Sequence, residues 1–299
     1  MGADVMGPDA APLSSRVHLI SPVELLEVLG SPDLRVIDAS FELTNPLAGA
    51  ESYRAGHVPG AVHLDLDEDL SSPPGGASGG RHPLPDMREF ADRLGALGIG
   101  REHTVVVYDQ TGTMYAARAW WLLRYAGHER VRFLDGGLAA YVATGGVLTT
   151  DVPSRPPVTF TLDLRHELVA TIDDVEAGID DERVALLDAR APERYRGEVE
   201  PLDAKAGHIP GARNLPFTMA LDAQRLASRD ELVVRLGVDD LRERDVIAYC
   251  GSGVSAAQLV LALEEAGLDG VRLYPGSWSE WSSRPDHPVA TGAEVDEAR

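Results

Sequence analysis

Two stretches decide the fold when one is laid under the other: TVVVYDQTGTMYAARAWWLLRYAGHERVRFLDGGLAAY, Thr104–Tyr141, and DVIAYCGSGVSAAQLVLALEEAGLDGVRLYPGSWSEW, Asp245–Trp281. Each passes from a short β-branched run through a loop of small residues into an apolar helical stretch. Val105–Tyr108 and Val246–Tyr249 read as strands buried on both faces. Ala116–Tyr125 and Ala256–Ala266 read as the helices that follow, the second stopped by Gly267 at the C′ position. The match extends upstream. LRVIDAS (Leu34–Ser40) and RAGHVPGAVHLDL (Arg54–Leu66) have counterparts in VALLDAR (Val184–Arg190) and KAGHIPGARNLPF (Lys205–Phe217). The chain is therefore an internal duplication.

Strands alternating with helices imply an α/β fold, a mostly parallel sheet with helices on both faces, made twice. SPVELLEVLG, Ser21–Gly30, supports the helical reading of the intervening segments, with a Ser N-cap, Pro at the first helical position and Gly at the end. TTDVPSRPPVTFTLDLRHE, Thr149–Glu167, has three prolines and no helical period, so it reads as a linker. The expected organisation is a disordered tail over 1–16, a first domain over 17–148, a linker over 149–165 and a second domain over 166–299.

Composition narrows the function. The 299 residues carry 48 acidic against 27 basic side chains, a net charge of −21, so no basic footprint exists for nucleic acid or anionic membranes. Residues 1–16 lack the charged and apolar regions of a secretory signal, and no apolar run is long enough to span a bilayer. A single cysteine excludes an internal disulfide and a CxxC metal site, and it fits a reducing, cytoplasmic compartment. No metal or cofactor is called for.

That cysteine, Cys250, stands where a strand hands over to a helix, which is where parallel α/β folds place ligands. Gly251 and Gly253 allow backbone N–H groups to turn toward one centre at a helix N-terminus, a setting that favours a negative sulfur. A cysteine needed only for packing is the alternative. The duplicate serves as an internal control: Asp109 occupies the position of Cys250, and aspartate cannot do reversible thiol chemistry. The first copy is then a scaffold, walling one side of the second copy's site.

GHVPGA and GHIPGA, LLDAR…ERYRG, FLDGG, YPGSWSEW and the loop CGSGVS together resemble the tandem-domain sulfurtransferases of the rhodanese superfamily, from about Val17 to Ala290. The resemblance implies two similar α/β domains with the cysteine only in the second. It also implies ping-pong chemistry: Cys250 takes sulfur from a small donor, holds it as a persulfide and passes it to a thiophilic acceptor such as cyanide, a thiol or a thioredoxin-like protein. The neutral loop Gly251, Ser252, Gly253, Val254, Ser255 is similar to that of the members using 3-mercaptopyruvate, whereas thiosulfate-preferring members carry cations there. By the same resemblance Arg194 matches a carboxylate-binding arginine, and Ser252, His82 and Asp67 match a group that polarises the donor or relays a proton.

One departure stands out: a second arginine expected shortly after RYRG is replaced near Leu202, with Arg196 and Lys205 as candidate substitutes. His57 and His208, present in both copies, read as structural. Trp278 and Trp281 either line the pocket or fill the core, and Asp188 and Arg190 are expected to brace the loop by a salt bridge. Three rivals remain: thiosulfate:cyanide sulfur transfer, a relay module fed by a partner protein, and a phosphatase. The last lacks the loop arginine that would clamp phosphate.

Overall fold

The computed structural model describes residues 17–75, 79–110 and 114–293; the tail expected over 1–16 and the centre of the Asp109 loop lie outside them. The first domain runs β1 (Leu19–Ile20), α1 (Pro22–Val28), β2 (Leu34–Asp38), α2 (Ala48–Ala55), β3 (Ala61–His63), α3 (Met87–Ala96), β4 (Thr104–Tyr108), α4 (Met114–Tyr125), β5 (Val131–Leu134) and α5 (Gly137–Ala143). The second runs α6 (Ile172–Gly178), β6 (Val184–Asp188), α7 (Pro192–Tyr195), β7 (Arg213–Asn214), β8 (Leu221–Asp222), β9 (Arg225–Leu226), α8 (Arg229–Arg235), β10 (Asp245–Tyr249), α9 (Ser255–Glu265), β11 (Arg272–Leu273) and α10 (Ser277–Ser283). Ser21 caps α1 in a full capping box with Glu24, with Pro at the helix start.

The first sheet has the order β1-β5-β4-β2-β3 and the second β11-β10-β6-β7, all pairs parallel. The second sheet's missing edge is marked by a parallel bridge from Val169 to Leu273, in the place β1 takes beside β5. Both sheets thus repeat one topology, and the central strand of each, β4 or β10, ends at the position of Asp109 or Cys250. The register agrees: Asp38 pairs with Tyr108 and Asp188 with Tyr249. The linker from Asp151 to Arg165 has no regular element and lies along the first domain, with Val158 N–H on Gly95 O and Arg165 N–H on Tyr125 O.

The repeated histidines explain themselves. His57 stacks on Tyr53 with ring centroids 3.9 Å apart, and its Nδ1 is 2.7 Å from the Tyr53 carbonyl. His208 does the same on Tyr195 at 3.7 Å and 2.7 Å. Each also forms an isolated antiparallel bridge with a distant residue, at Thr149 and Ala290. A buried aromatic stack with its polar atoms satisfied is a packing device, and both copies need it.

The two domains meet through α4 and α9. Both helices are apolar on nearly every side, and a single buried cluster runs through both domains, with Trp120 and Trp121 on one side and Leu259 and Leu263 on the other. Glu264 and Glu265, buried at the end of α9, are met across this interface by Arg124 and His18. A buried carboxylate left alone would cost several kcal/mol, on the order of what such pairing recovers. The interface fixes the first domain against the loop that follows β10.

Candidate active site

Cys250 is 2 % exposed and follows directly on β10. Its Sγ accepts a hydrogen bond from Gly253 N–H at 3.2 Å. Its N–H donates to Ser277 Oγ at 3.2 Å, and its carbonyl accepts from Trp278 N–H at 2.9 Å. The same carbonyl contact in the first copy joins Leu138 N–H to Asp109 O at 3.0 Å, so Asp109 does stand at the cysteine's structural position. Asp109 turns its carboxylate to the N-terminal part of α4, accepting from Ala116 N–H at 3.0 Å. Gly253 needs its freedom: φ is +77°, and a Cβ there would lie 2.5 Å from Pro275 O. Ser277 also has a positive φ, +53°, where the first copy has Gly137 at +60°. A serine in this region carries strain, and its hydroxyl bridges Cys250 N–H to Tyr274 O.

The sulfur sits just ahead of the eleven-residue α9. Beyond the loop, the structure brings Ser252, His82 and Asp67 into line. Ser252 Oγ is 2.8 Å from His82 Nδ1, and His82 Nε2 is 3.5 Å from Asp67 Oδ1. Burial, with Arg118 and Arg81 nearby, lowers His82 to about 4, so the ring is neutral at pH 7. With one proton to place, Nε2–H faces the Asp67 carboxylate and Nδ1 accepts from Ser252; this tautomer is inferred from the partners. Asp67 itself is about half-exposed, and burial with Asp65 and Glu68 nearby raises its pKa.

Arg118, which sequence reading missed, is fully buried in α4 and reaches across the interface. Its guanidinium donates to Gly253 O at 3.2 Å, His82 O at 3.2 Å, Pro83 O at 3.3 Å and Leu70 O at 3.3 Å. Among the described residues no carboxylate bonds it. Burial lowers it to about 10, and the negative form of Cys250 acts the other way. One residue of the first domain therefore ties together the cysteine loop and the His82 segment.

A cavity of about 250 Å³ opens over the sulfur. Cys250, Gly251, Ser252, Val254 and Ser255 form its floor with His82, Arg194 and Arg190, while Leu43, Leu66, Met114, Tyr115, Leu202 and Phe217 make an apolar wall. Gly253 acts from beneath through its N–H, and Asp67 lies behind His82, outside the cavity. Asp188 and Arg190 form the expected brace, Nη2 to Oδ2 at 2.6 Å and fully buried. Trp278 and Trp281 belong to the core: both are fully buried, with indole N–H groups on Lys205 O and Pro288 O, and Arg190 stacks over Trp278.

The candidates to replace the missing second arginine are corrected here. Arg196 pairs with exposed Glu198 at 2.8 Å, and Lys205 Nζ is spent on the carbonyl of Arg284 at 2.7 Å. Neither lines the cavity. Arg81 does, from the first domain. It pairs with Asp203, which also holds Arg194 at 3.1 Å; Arg194 is held by Glu200 at 2.7 Å as well. Burial works to raise Glu200, but the hydrogen bonds from Arg194 and the Leu202 N–H outweigh it and keep it ionised. Three cations, Arg81, Arg190 and Arg194, thus face three carboxylates, Asp188, Glu200 and Asp203. The signals for this cluster were the neighbours of residues already singled out: Arg81 beside His82, and Glu200 and Asp203 just after ERYRG.

Comparison with known proteins matches the Rhodanese-like domain family at residues 21–144 and again at 171–284. A probable 3-mercaptopyruvate sulfurtransferase of Pseudomonas aeruginosa is 44% identical over 283 residues, covering 93% of this chain and 99% of that protein. A putative thiosulfate sulfurtransferase, SseB, of Mycobacterium tuberculosis is 42% identical, covering 92% and 97%. Among solved structures, the 3-mercaptopyruvate enzyme SseA of Escherichia coli superposes with a TM-score of 0.76 at 34% identity, covering 88% of this chain and 99% of that one.

Proposed function

The chain belongs to the rhodanese-like family and is a sulfurtransferase of two such domains in tandem, and on that premise we propose that it takes sulfur from 3-mercaptopyruvate, carries it as a persulfide on Cys250 and hands it to cyanide or a thiol. The Cys250 thiolate attacks the donor's thiol sulfur. The carbon–sulfur bond breaks, and its electron pair passes to the CH₂ carbon as the enolate of pyruvate. Charge builds on the carbonyl oxygen, which Ser252 is placed to meet. The donor's thiol proton ends on the methyl carbon, and Ser252 with neutral His82 is the relay that moves it, Asp67 holding the ring. Thiolate plus mercaptopyruvate gives persulfide anion plus pyruvate, with atoms and charge conserved. Attack by cyanide on the outer sulfur then gives thiocyanate and returns the thiolate. A single reactive thiol that has to stay reduced fits the cytoplasm, and a thioredoxin-like protein is a chemically suitable acceptor.

The observation that carries the donor assignment is the Ser252–His82 hydrogen bond beside Cys250, in a loop that has no cation of its own. Thiosulfate has no carbonyl for that pair to polarise, and its two charges would meet cations already matched by carboxylates. The name of the Pseudomonas relative agrees, whereas that of the Mycobacterium relative points to thiosulfate. Side-by-side kcat/KM values decide: 3-mercaptopyruvate should be the better donor, and a preference for thiosulfate overturns the assignment. Faster transfer from a persulfide-bearing protein than from either small donor would make the chain a relay module instead.

A further inference from the structure

The segment that carries His82 leaves the first domain and lies on the second. Gly79 and Gly80 have φ of +65° and +76°, in the region that favours glycine. A Cβ on Gly79 would run into the Glu280 carboxylate, and one on Gly80 would lie 2.6 Å from Gly276 O and 2.7 Å from Ser279 Oγ. Glycine at both positions therefore lets the backbone rest directly on the first turn of α10. There Arg81 N–H donates to Ser279 Oγ at 3.1 Å, and the hydroxyl donates in turn to Gly276 O at 3.1 Å. Ser279 N–H donates to Gly251 O at 2.9 Å. One residue thus holds the loop of the nucleophile by its main chain and the residue before His82 by its side chain.

We propose that Ser279 is a positioning residue for sulfur uptake: by tying the His82 segment to the cysteine loop it sets the distance from His82 to Ser252, a role that rests on the Ser252–His82 relay proposed above. The duplicate supplies the comparison. Trp278 N–H meets Cys250 O as Leu138 N–H meets Asp109 O, so Ala139 stands where Ser279 does. Ala139 is exposed and has no hydroxyl, whereas Ser279 is 8 % exposed and its hydroxyl both accepts and donates. The helix does not require the serine, since α5 forms with alanine at that place. The hydroxyl stands in the copy on which the His82 segment is seated.

Two other contacts hold the segment differently. Arg118 takes the His82 carbonyl from within the first domain, and Arg81 reaches Asp203 only at the end of a long side chain. Ser279 holds the backbone itself, from the second domain. With Ser252 Oγ 2.8 Å from His82 Nδ1, a shift of about 1 Å in the segment takes the pair out of hydrogen-bond range.

The test separates the two half-reactions by rapid mixing: sulfur uptake from 3-mercaptopyruvate, read as pyruvate released in the first turnover, and discharge of the preformed persulfide by cyanide, read as thiocyanate. Uptake uses the Ser252–His82 pair; attack of cyanide on the outer sulfur does not. Ser279→Ala removes the hydroxyl, and Gly80→Ala pushes the segment off it with the hydroxyl intact. Loss of one hydrogen bond should slow uptake about threefold to tenfold in Ser279→Ala, while discharge keeps its wild-type rate. Gly80→Ala should show the same split. In a Ser252→Ala background, Ser279→Ala should slow uptake little further, because it acts through that pair. Equal slowing of both half-reactions in Ser279→Ala means that the serine only supports the fold of the site, and the role is refuted. If Ser252→Ala slows uptake and Ser279→Ala does not, the role fails while the relay stands. If wild type takes up no sulfur from 3-mercaptopyruvate, or Ser252→Ala takes it up at the wild-type rate, the relay falls, and the role of Ser279 with it.

Discussion

His82 has to be neutral for Ser252 to share its proton with Nδ1, and that neutrality has a measurable cost in acid. The ring is buried between two guanidinium groups, Arg118 and Arg81, and takes its proton only at about 4, against 6.5 for an exposed histidine. Asp67, 3.5 Å away and half-exposed, is too well solvated to reverse this. Because the folded value is depressed, the unfolded chain binds the extra proton between the two values. Stability is unaffected above about pH 6.5 and is lost as the pH falls toward 4. A separation of about 2.5 units corresponds to about 3 kcal/mol, and most of that is already lost at about pH 4.5. His82→Asn keeps an acceptor near Nδ1 and cannot titrate. Urea unfolding of both proteins at about pH 7 and about pH 4.5 should show wild type losing about 2.5 kcal/mol more than the variant. His128, also lowered to about 4 by burial, is present in both and cancels. Equal losses in the two proteins, or an NMR titration of the His82 ring near its ordinary value, would refute the reasoning and remove the neutral base from the relay.

Three further outcomes follow from the same geometry. Asp109→Ala removes the acceptor for Ala116 N–H and should cost about 1 kcal/mol of stability, as lost helix caps do, with kcat unchanged, measured by thermal unfolding beside steady-state assays. Ser252→Ala and His82→Asn should each lower kcat, and the double variant should lose little beyond the worse single one, because the pair acts as a unit. Arg118→Met leaves four backbone carbonyls without their guanidinium and should lose about 3–5 kcal/mol in chemical denaturation, a fall under about 1 kcal/mol contradicting its bridging role.

The sequence made the loop at Cys250 readable because strand, glycines and helix are contiguous and the duplicate supplies its own control at Asp109. Ser252 and Arg194 were legible for the same reason, lying within short motifs of the copy that carries the cysteine. His82 was harder, since the Gly- and Pro-rich stretch before it has no period to fix its path. Arg118 was not legible at all. Arg118 sits in an apolar helix, where a lone arginine reads as a solvent-facing position; only the packing of α4 on α9 turns it toward Gly253. Arg81 was legible only as the neighbour of His82, and nothing in linear spacing shows that it reaches the cavity over Cys250 from the first domain. Glu200 and Asp203 gain their meaning only in three dimensions, where the side chains of Arg81, Arg190 and Arg194 close around them.

The central claim is that sulfur travels on Cys250, the only thiol in the chain. Intact-mass and peptide-level mass spectrometry after incubation with 3-mercaptopyruvate tests it most directly. Wild type should gain one sulfur atom per chain, carried on the peptide containing Cys250 and removed by cyanide with release of thiocyanate, while Cys250→Ser gains none and is inactive. Turnover by Cys250→Ser, or sulfur found on wild type away from Cys250, would contradict the account.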